Sequence, residues 1–123
     1  MQYQHIVVDL ETLGVNDANT TILSLAAVPF RFGEVTPYSE LLERGFYRKL
    51  NTVDQLKRGR SKEQSTVEWW QKQSPEAQAN GFTPSKEDVT IDQALRELKQ
   101  WVQSTDYDFK NSWIWCRGLD FDK

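Results

Sequence analysis

The sequence predicts an α/β fold in which three antiparallel strands are followed by helices and then by a parallel strand. Three observations lead to this prediction. Strand-like apolar runs occupy 6–8, 21–32 and 45–50. Apolar residues then recur at helical spacing over 91–102. A last short apolar run follows at 113–116, and strands joined through a helix are typical of parallel pairing.

The first predicted strand ends in a segment that carries two carboxylates. Ile6-Val7-Val8 is β-branched throughout and too short for a helix, which favours a buried strand that ends in Asp9-Leu10-Glu11-Thr12. Gly and Asn residues mark a loop, and the second strand begins at Thr21. Pro29 lacks a backbone N–H, which indicates a bulge or an edge position near the end of that strand. The third strand, 45–50, is expected to pair antiparallel with the second.

One loop and three helices are predicted between the third strand and the last. Residues 51–64 are polar and basic with no apolar periodicity, which indicates an exposed loop. Ser65-Thr66-Val67-Glu68 fits a capping box for a short helix over 66–73, and Ser74-Pro75 opens a second helix that ends before Gly81. Thr90-Ile91-Asp92-Gln93 fits another capping box. The helix after it carries its apolar residues on one face: Ile91, Ala94, Leu95, Leu98, Trp101 and Val102.

The last strand, Trp113-Ile114-Trp115-Cys116, is wholly apolar, as expected of a strand that is covered on both faces. Three antiparallel strands followed by a helical crossover to a parallel strand form the opening of a ribonuclease H-like sheet. With 123 residues, the chain is expected to be one domain or part of one.

Composition limits the possible functions. The formal net charge of -3 provides no polycationic surface that holds nucleic acid by phosphate neutralisation alone. A single cysteine, Cys116, and a single histidine, His5, exclude an internal disulfide and a Cys/His zinc site, so any metal must be held by carboxylates. No apolar run approaches the roughly 20 residues that span a bilayer, and the N-terminus does not resemble a signal peptide. We therefore expect a cytoplasmic protein that does not bind membranes.

The carboxylates form a candidate metal site. Asp9 and Glu11 are two residues apart on a strand, so both side chains project from one face. If the last strand lies beside the first, Asp120 and Asp122 reach the same edge of the sheet. An all-oxygen site of this kind suits Mg²⁺ or Mn²⁺, and two such ions roughly 3.5–4 Å apart cleave phosphodiesters in many nucleases. The alternative is structural: these residues end strands and begin turns.

Two motifs resemble those of the DEDD superfamily of 3′–5′ exonucleases. Asp-Leu-Glu-Thr at 9–12 resembles its first motif, and Phe121-Asp122 after Arg117-Gly118 resembles its second. The segments 65–77, 84–89 and 115–122 resemble the phage exonuclease A (DexA-like) branch. The resemblance implies that Asp9, Glu11 and Asp122 are metal ligands in an enzyme that uses two divalent ions, one of which activates water, and that a fourth aspartate completes the site for the second ion. It also implies that Thr12 and the turn after it, beginning at Leu13, meet the 3′-terminal nucleotide; Asp120 is not assigned to the metals.

The superfamily also has a third motif, in which a His or Tyr general base precedes a fourth aspartate. None of the histidine and tyrosine residues of this chain is followed by aspartate at that spacing. We therefore expect residues 1–123 to be the N-terminal portion of a single exonuclease domain, inactive by itself. The expected function is metal-dependent hydrolysis from the 3′ end of single-stranded nucleic acid, with DNA as the favoured substrate. The alternative is a catalytically inert ribonuclease H-like binding module or remnant.

Several side chains outside the carboxylate set are candidate contacts. Adjacent helical residues point about 100° apart, so one of Trp69 and Trp70 is expected in the core, and Trp69 is the candidate that stacks on a base. Arg117 is expected either to bind a phosphate or to pair with a nearby carboxylate. The basic residues of 57–62 either follow a nucleic-acid strand or form a solvated surface. Apolar surface at the last strand, if uncovered, is expected to cause self-association.

Overall fold

The computed structural model describes residues 3–116 and contains one mixed sheet. Its strands are β1 (His5–Thr12), β2 (Ile22–Phe30), β3 (Phe46–Lys49) and β4 (Ile114–Cys116), in the spatial order β3-β2-β1-β4. β1 pairs antiparallel with β2, β2 pairs antiparallel with β3, and β4 runs parallel to β1. The predicted ribonuclease H-like arrangement of three antiparallel strands and one parallel strand is confirmed.

The two faces of β1 are distinct in character. Ile6, Val8 and Leu10 pack into the main core with residues of β2, β3 and the last helix. Because side chains alternate along a strand, Asp9 and Glu11 project from the opposite face. Pro29 pairs with Ile6 beyond the stretch 24–27 that β3 covers, so the predicted local edge near the end of β2 is confirmed.

Five helices connect the strands: α1 (Tyr38–Arg44), α2 (Thr52–Lys57), α3 (Gln64–Gln71), α4 (Pro75–Gly81) and α5 (Ile91–Gln103). α1 was not predicted, and the prediction of a loop over 51–64 is wrong because α2 lies within it. The side chain of Asn51 caps α2 by accepting from Asp54 N at 3.0 Å. Gln55 is the buried residue of this helix, and it bonds both backbone groups of Ile22. The contact that holds α2 to the sheet is made by the amide side chain of Gln55. A helix attached in this way needs no apolar repeat, and its sequence therefore does not reveal it.

The capping boxes behave differently in α3 and α5. The box proposed at Ser65 is wrong, because the cap of α3 is Glu63 and no side chain bonds the helix end there. In α5 the hydroxyl of Thr90 accepts from Gln93 N, as predicted. The Gln93 side chain bonds Glu97 instead of returning to the cap. Ser74 caps α4, again as predicted.

The apolar face of α5 covers β1, β2 and β3 more completely than β4. Ala94 is buried, while Leu98, Trp101 and Val102 pack on the main core. Leu95, predicted on the same face, is half exposed. A cavity of about 220 Å³ lies between α5 and the β4 side of the sheet, lined by Leu95, Phe109 and Ile114 among others.

Within residues 3–116, β4 is not covered on both faces, so this part of the chain does not supply the cover predicted for 113–116. Trp113 lies just before the strand and is 60% exposed, while Ile114 and Trp115 are 61% and 41% exposed. The wholly apolar sequence marks a strand here, but α5 packs over the neighbouring Ile6 instead, and other described elements leave β4 open. Within residues 3–116, no helix is long and apolar enough to cross a membrane.

Candidate active site

The site begins with two carboxylates on one open face of the sheet. Asp9 lies opposite Ala26 and Glu11 opposite Ser24 in the antiparallel pairing of β1 with β2. Both carboxylate residues are exposed, and the residues opposite them have small side chains. Two exposed carboxylates therefore lie on the same face of β1, two residues apart.

The chain changes its pairing directly after Glu11. The register shifts between Glu11 and Thr12, so that Thr12 lies opposite Ile22. Such an irregularity re-aims the residues that follow it. The hydroxyl of Thr12 donates to the carbonyl oxygen of Gly14 at 2.7 Å, which folds the chain into the loop between β1 and β2. We call residues 13–21 the hairpin loop.

Leu13 points into the protein. Its side chain is 5% exposed and forms a second core cluster with Leu23 and Trp70, against which Val67 and Phe82 pack. Its N–H donates to Thr21 O at 2.9 Å, and its carbonyl accepts from Glu63 N at 2.8 Å. The predicted contact of Leu13 with a nucleotide stays a prediction, and what the structure shows at this residue is an anchor for the hairpin loop.

The hairpin loop is bonded along its length to the segment 59–63, which precedes α3. Thr21 N donates to Ser61 O at 2.7 Å, and Ser61 N donates to Asn19 O at 3.0 Å. Ser61 Oγ donates to a carboxylate oxygen of Asp17 at 2.7 Å. Gly59 has a φ of 93°, a backbone conformation that favours glycine, and it leads the chain from α2 into this segment.

The carboxylate of Glu63 connects the segment 59–63 to the start of the hairpin loop. This carboxylate accepts from Val15 N, from Asn16 N at 2.9 Å and from Asn16 Nδ2 at 2.8 Å. These bonds, chiefly those from Asn16, hold the pKa of Glu63 below its ordinary value. The hydrogen bond from Ser61 and the Asn19 N–H likewise lower the pKa of Asp17. Both side chains are thus ionised anchors of the hairpin loop.

The two adjacent tryptophans of α3 divide as predicted. Trp70 is 9% exposed and stacks on Phe82 with a ring-centroid distance of 5.8 Å and an interplanar angle of 4°. A Cβ atom on Gly81 would lie 3.1 Å from the Trp70 ring, so the glycine allows this close packing. Trp69 is 56% exposed and meets Trp70 edge-on. Its ring is therefore open to a ligand, as a base-stacking role requires.

The remaining predicted site residues, Asp122 and Arg117, lie outside the described residues, as does Asp120. β4 reaches as far as Cys116, opposite Val8 and one position before Asp9. Among residues 3–116, no group of three or more His, Cys, Asp or Glu side chains is arranged to hold a metal. Asp9 and Glu11 fit Mg²⁺ or Mn²⁺ in donor type, and in this part of the chain they supply one pair of ligands.

The basic residues at 57–62 are partly used within the protein. Arg58 forms ion pairs with Asp54 and Asp92, and Arg60 Nε donates to Thr20 O at 3.1 Å. Lys57 and Lys62 are exposed. The arginines therefore stabilise α2 and the hairpin loop, which favours the solvated-surface interpretation for them.

Sequence reasoning missed Glu63 and Gly14. A Cβ atom on Gly14 would lie 2.7 Å from Thr20 Oγ1 and in collision with the Glu63 carboxylate. Glycine is therefore the residue that lets Glu63 approach the backbone of the hairpin loop. Glu63 is 48 residues from its partner Val15, so no local pattern reveals the contact.

Comparisons with known proteins identify the family of this chain. The model of the 3′–5′ exoribonuclease Rv2179c-like domain family matches residues 4–123. The exodeoxyribonuclease of Enterobacteria phage T4 is 34% identical over 118 residues, which cover 94% of this chain and 51% of that protein. The chain thus spans about half the length of this curated relative. The crystal structure of cell-death related nuclease 4 matches 90% of this chain and 34% of its own with a TM-score of 0.54; at 13% identity this likeness shows the fold alone.

Proposed function

The chain belongs to the 3′–5′ exoribonuclease Rv2179c-like domain family, and from that premise we propose that it removes nucleotides from the 3′ end of single-stranded nucleic acid. The family match and the T4 relative confirm the predicted membership of the DEDD exonucleases and their DexA-like branch. The observation that carries the proposal is the pair Asp9 and Glu11 on one open face of β1, directly before the hairpin loop.

Asp9 and Glu11 are proposed as ligands for two Mg²⁺ or Mn²⁺ ions, with Asp122 as a third protein ligand. Bound there, the ions supply activation of the attacking water and stabilisation of charge on the phosphate. β4 supports the inclusion of Asp122, because it runs parallel to β1 toward the end that carries Asp9. The protein's own contribution is to hold two carboxylates at a fixed separation along one strand.

The hairpin loop and Trp69 are proposed to bind the substrate. Thr12 follows the carboxylates immediately along the chain, and the proposed contact of the terminal nucleotide is with this residue and with the loop that begins at Leu13, whose side chain is buried. Trp69 offers an exposed ring for a base, and such stacking is worth about 1–3 kcal/mol. Arg117 is proposed as a phosphate contact.

We favour DNA over RNA as the substrate and the cytoplasm as the place of action. The relative from phage T4 is named an exodeoxyribonuclease, which supports DNA. The family description names an exoribonuclease, so RNA is the alternative substrate against which DNA should be tested. We also propose that residues 1–123 are the N-terminal portion of one exonuclease domain, since they align with about half of the T4 protein.

Hydrolysis is tested on two proteins: the 123-residue chain and a chimera in which the remaining portion of the T4 exodeoxyribonuclease follows residue 123. Single-stranded DNA and RNA labelled at the 5′ end are incubated with each in Mg²⁺ or Mn²⁺. We expect the chimera to shorten DNA stepwise from the 3′ end, and the chain alone to be inactive. A chimera that binds strands without shortening them would favour the inert binding module.

Self-association is proposed through the uncovered apolar residues at β4. Trp113, Ile114 and Trp115 are each more than two-fifths exposed, and the rings of the two tryptophans are in contact with a centroid distance of 5.6 Å. Exposed apolar surface of this kind marks interaction sites. Sedimentation of the 123-residue chain is expected to show concentration-dependent association. Replacement of Trp113 and Trp115 by serine is expected to abolish this association. If the variant still associates as the parent does, the contact lies on another surface.

A further inference from the structure

The structure assigns Glu63 a role as a positioning residue for the 3′ end: its carboxylate fixes the backbone of the hairpin loop so that the loop distinguishes a free 3′ terminus. The inference rests on the proposed function, since it needs the hairpin loop to meet the terminal nucleotide. Nothing in the motifs of the sequence points to this residue.

The contacts of Glu63 concentrate on the few residues directly after the site. One carboxylate oxygen accepts from the N–H groups of Val15 and Asn16, and the other accepts from the side-chain amide of Asn16 at 2.8 Å. The Glu63 N–H donates to the carbonyl oxygen of Leu13 at 2.8 Å. Glu63 thus bonds three of the four positions 13–16 of the loop, and at the fourth, Gly14, its carboxylate lies where a Cβ atom would be.

Gly14 is the steric counterpart of this arrangement. It is buried, and an added Cβ atom would collide with the Glu63 carboxylate. Thr12 completes the connection to the site, because its hydroxyl bonds the carbonyl oxygen of Gly14 at 2.7 Å. A continuous chain of contacts therefore runs from Glu63 through the loop backbone to the residue beside Glu11.

The use of these backbone groups also limits how the loop can recognise a ligand. The N–H groups of Val15 and Asn16 are occupied by Glu63, so they are not donors for a phosphate. A negatively charged 3′-phosphate placed here would instead meet the Glu63 carboxylate and that of Asp17 on the same loop. A free 3′-hydroxyl lacks this repulsion, and the fixed loop therefore favours it.

The test compares the affinity of the 123-residue chain for thymidine oligonucleotides that end in a 3′-hydroxyl or in a 3′-phosphate, measured by fluorescence anisotropy in Mg²⁺. We expect the parent chain to prefer the 3′-hydroxyl by about tenfold, the size of effect typical of hydrogen bonds and charges at one site. Glu63→Ala is expected to reduce this preference to near unity. Gly14→Ala, which displaces the carboxylate without removing it, is expected to do the same.

Glu87→Ala is the matched control. The Glu87 carboxylate is also hydrogen-bonded, to Ser85 in its own turn, and its pKa is also held low, but it lies in the segment that leads to α5. This variant should keep the full preference. Chemical shifts of the Val15 and Asn16 amides should follow the ionisation of Glu63 in the parent chain and should not in Glu63→Gln, which gives a signal that is independent of substrate binding.

The outcomes separate the inference from the function on which it rests. A parent chain that binds both termini equally would contradict the proposed recognition of the 3′ end. A parent chain with the preference, together with a Glu63→Ala variant that retains it, would overturn the role of Glu63 alone. An equal loss of affinity for both oligonucleotides in Glu63→Ala, with a lower melting temperature, would also overturn it, because it indicates a purely structural residue.

Discussion

The two ends of β1 are stabilised by different kinds of interaction. At the C-terminal end of β1, the hairpin loop is bonded to 59–63 through backbone groups and six side chains. At its N-terminal half, β1 pairs with β4 over only three positions, and the aromatic side chains at β4 remain exposed. One region is held by a network of hydrogen bonds, and the other has uncovered apolar surface.

The hairpin loop is fixed by contacts within the chain, whereas the exposed surface at β4 is one that another polypeptide segment could cover. Polar contacts with defined geometry hold a backbone in one conformation, which a binding site for a terminal nucleotide requires. Contact of the exposed Trp113, Ile114 and Trp115 with water is unfavourable, so burial of these side chains against another apolar surface would lower the free energy. Asp9 and Glu11 lie toward the fixed end, so the placement of these two carboxylates depends little on what covers β4.

The largest expected effect is on hydrolysis, from Asp9→Ala in the chimera. Removal of a group that stabilises charge in the transition state costs on the order of 10²–10³ in rate, and a metal ligand is expected at or above the upper limit. The melting temperature should stay constant or rise slightly, because Asp9 and Glu11 repel each other without a cation. Asp92→Ala, which alters an exposed carboxylate of α5, is the control that should retain activity.

An Asp9→Ala chimera with the parent rate would show that this carboxylate is not a ligand. An Asp9→Ala chimera that is both inactive and unfolded would contradict the separation of site from fold at this end of β1. Each result is read from the same two measurements, the rate of shortening of a single strand and the thermal unfolding curve.

The next effect is on stability and uses the adjacent tryptophans as a matched pair. Trp70→Ala leaves a cavity in the cluster that anchors Leu13, and aromatic-to-alanine changes in a core cost about 3–5 kcal/mol. Trp69→Ala removes an exposed ring and should change stability by less than about 0.5 kcal/mol. Denaturant titration measures both. A destabilisation of equal size in the two variants would contradict the division of core and surface in α3.

Sequence patterns predicted the parts of this fold that depend on local apolar periodicity. The strands β1 and β2, the helix α5 with its Thr90 cap, and the separation of Trp69 from Trp70 all follow from spacing of residues along one element. The same-face placement of Asp9 and Glu11 follows for the same reason. These features need no information about distant residues.

The features that could not be predicted depend on contacts between distant residues. α2 is held to the sheet by the buried amide of Gln55, which has no apolar repeat to reveal it. Glu63 is the cap residue of α3, yet its side chain bonds the hairpin loop, so the capping box at Ser65 does not form. At β4 the apolar sequence correctly indicates a strand, but burial depends on which other segment packs against it.

A smaller effect tests how β4 is attached to β1. His5 is 5% exposed, and its Nδ1 accepts from Trp113 N at 2.9 Å, while Ile6 N donates to Trp113 O at 3.1 Å. His5→Phe keeps an aromatic ring among Tyr3, Phe30 and Phe32 but removes the acceptor. An unsatisfied N–H costs about 1–3 kcal/mol when buried, and partial exposure of Trp113 places the expected loss at the lower end.

Amide hydrogen exchange locates that loss. In His5→Phe, exchange at Trp113 and at Ile6 should accelerate, while amides of the hairpin loop such as Leu13 should exchange as in the parent. Acceleration at Leu13 of the same size would mean that the two ends of β1 are coupled, and the contrast between them would then be wrong.

The smallest expected effect is a local response of the hairpin loop to acid. The pKa values of Glu63 and Asp17 are lower in the folded loop than their ordinary values, because N–H and hydroxyl groups donate to the carboxylates. An opened loop therefore binds protons more readily than the closed one, and the closed form loses stability as pH falls. The contribution is complete above the ordinary carboxylate range, at about pH 5, and declines below about pH 4. Exchange-sensitive amide signals of Val15 and Asn16, followed by NMR from neutral to acidic pH, should show opening in this range, whereas the Ile6 amide, which bonds a backbone carbonyl at β4, should not respond. In Glu63→Gln the response at Val15 should be largely lost, since Asp17 alone remains to titrate. An unchanged response in that variant would assign the acid sensitivity to Asp17. Glu63 would then not explain why this end of β1 is fixed.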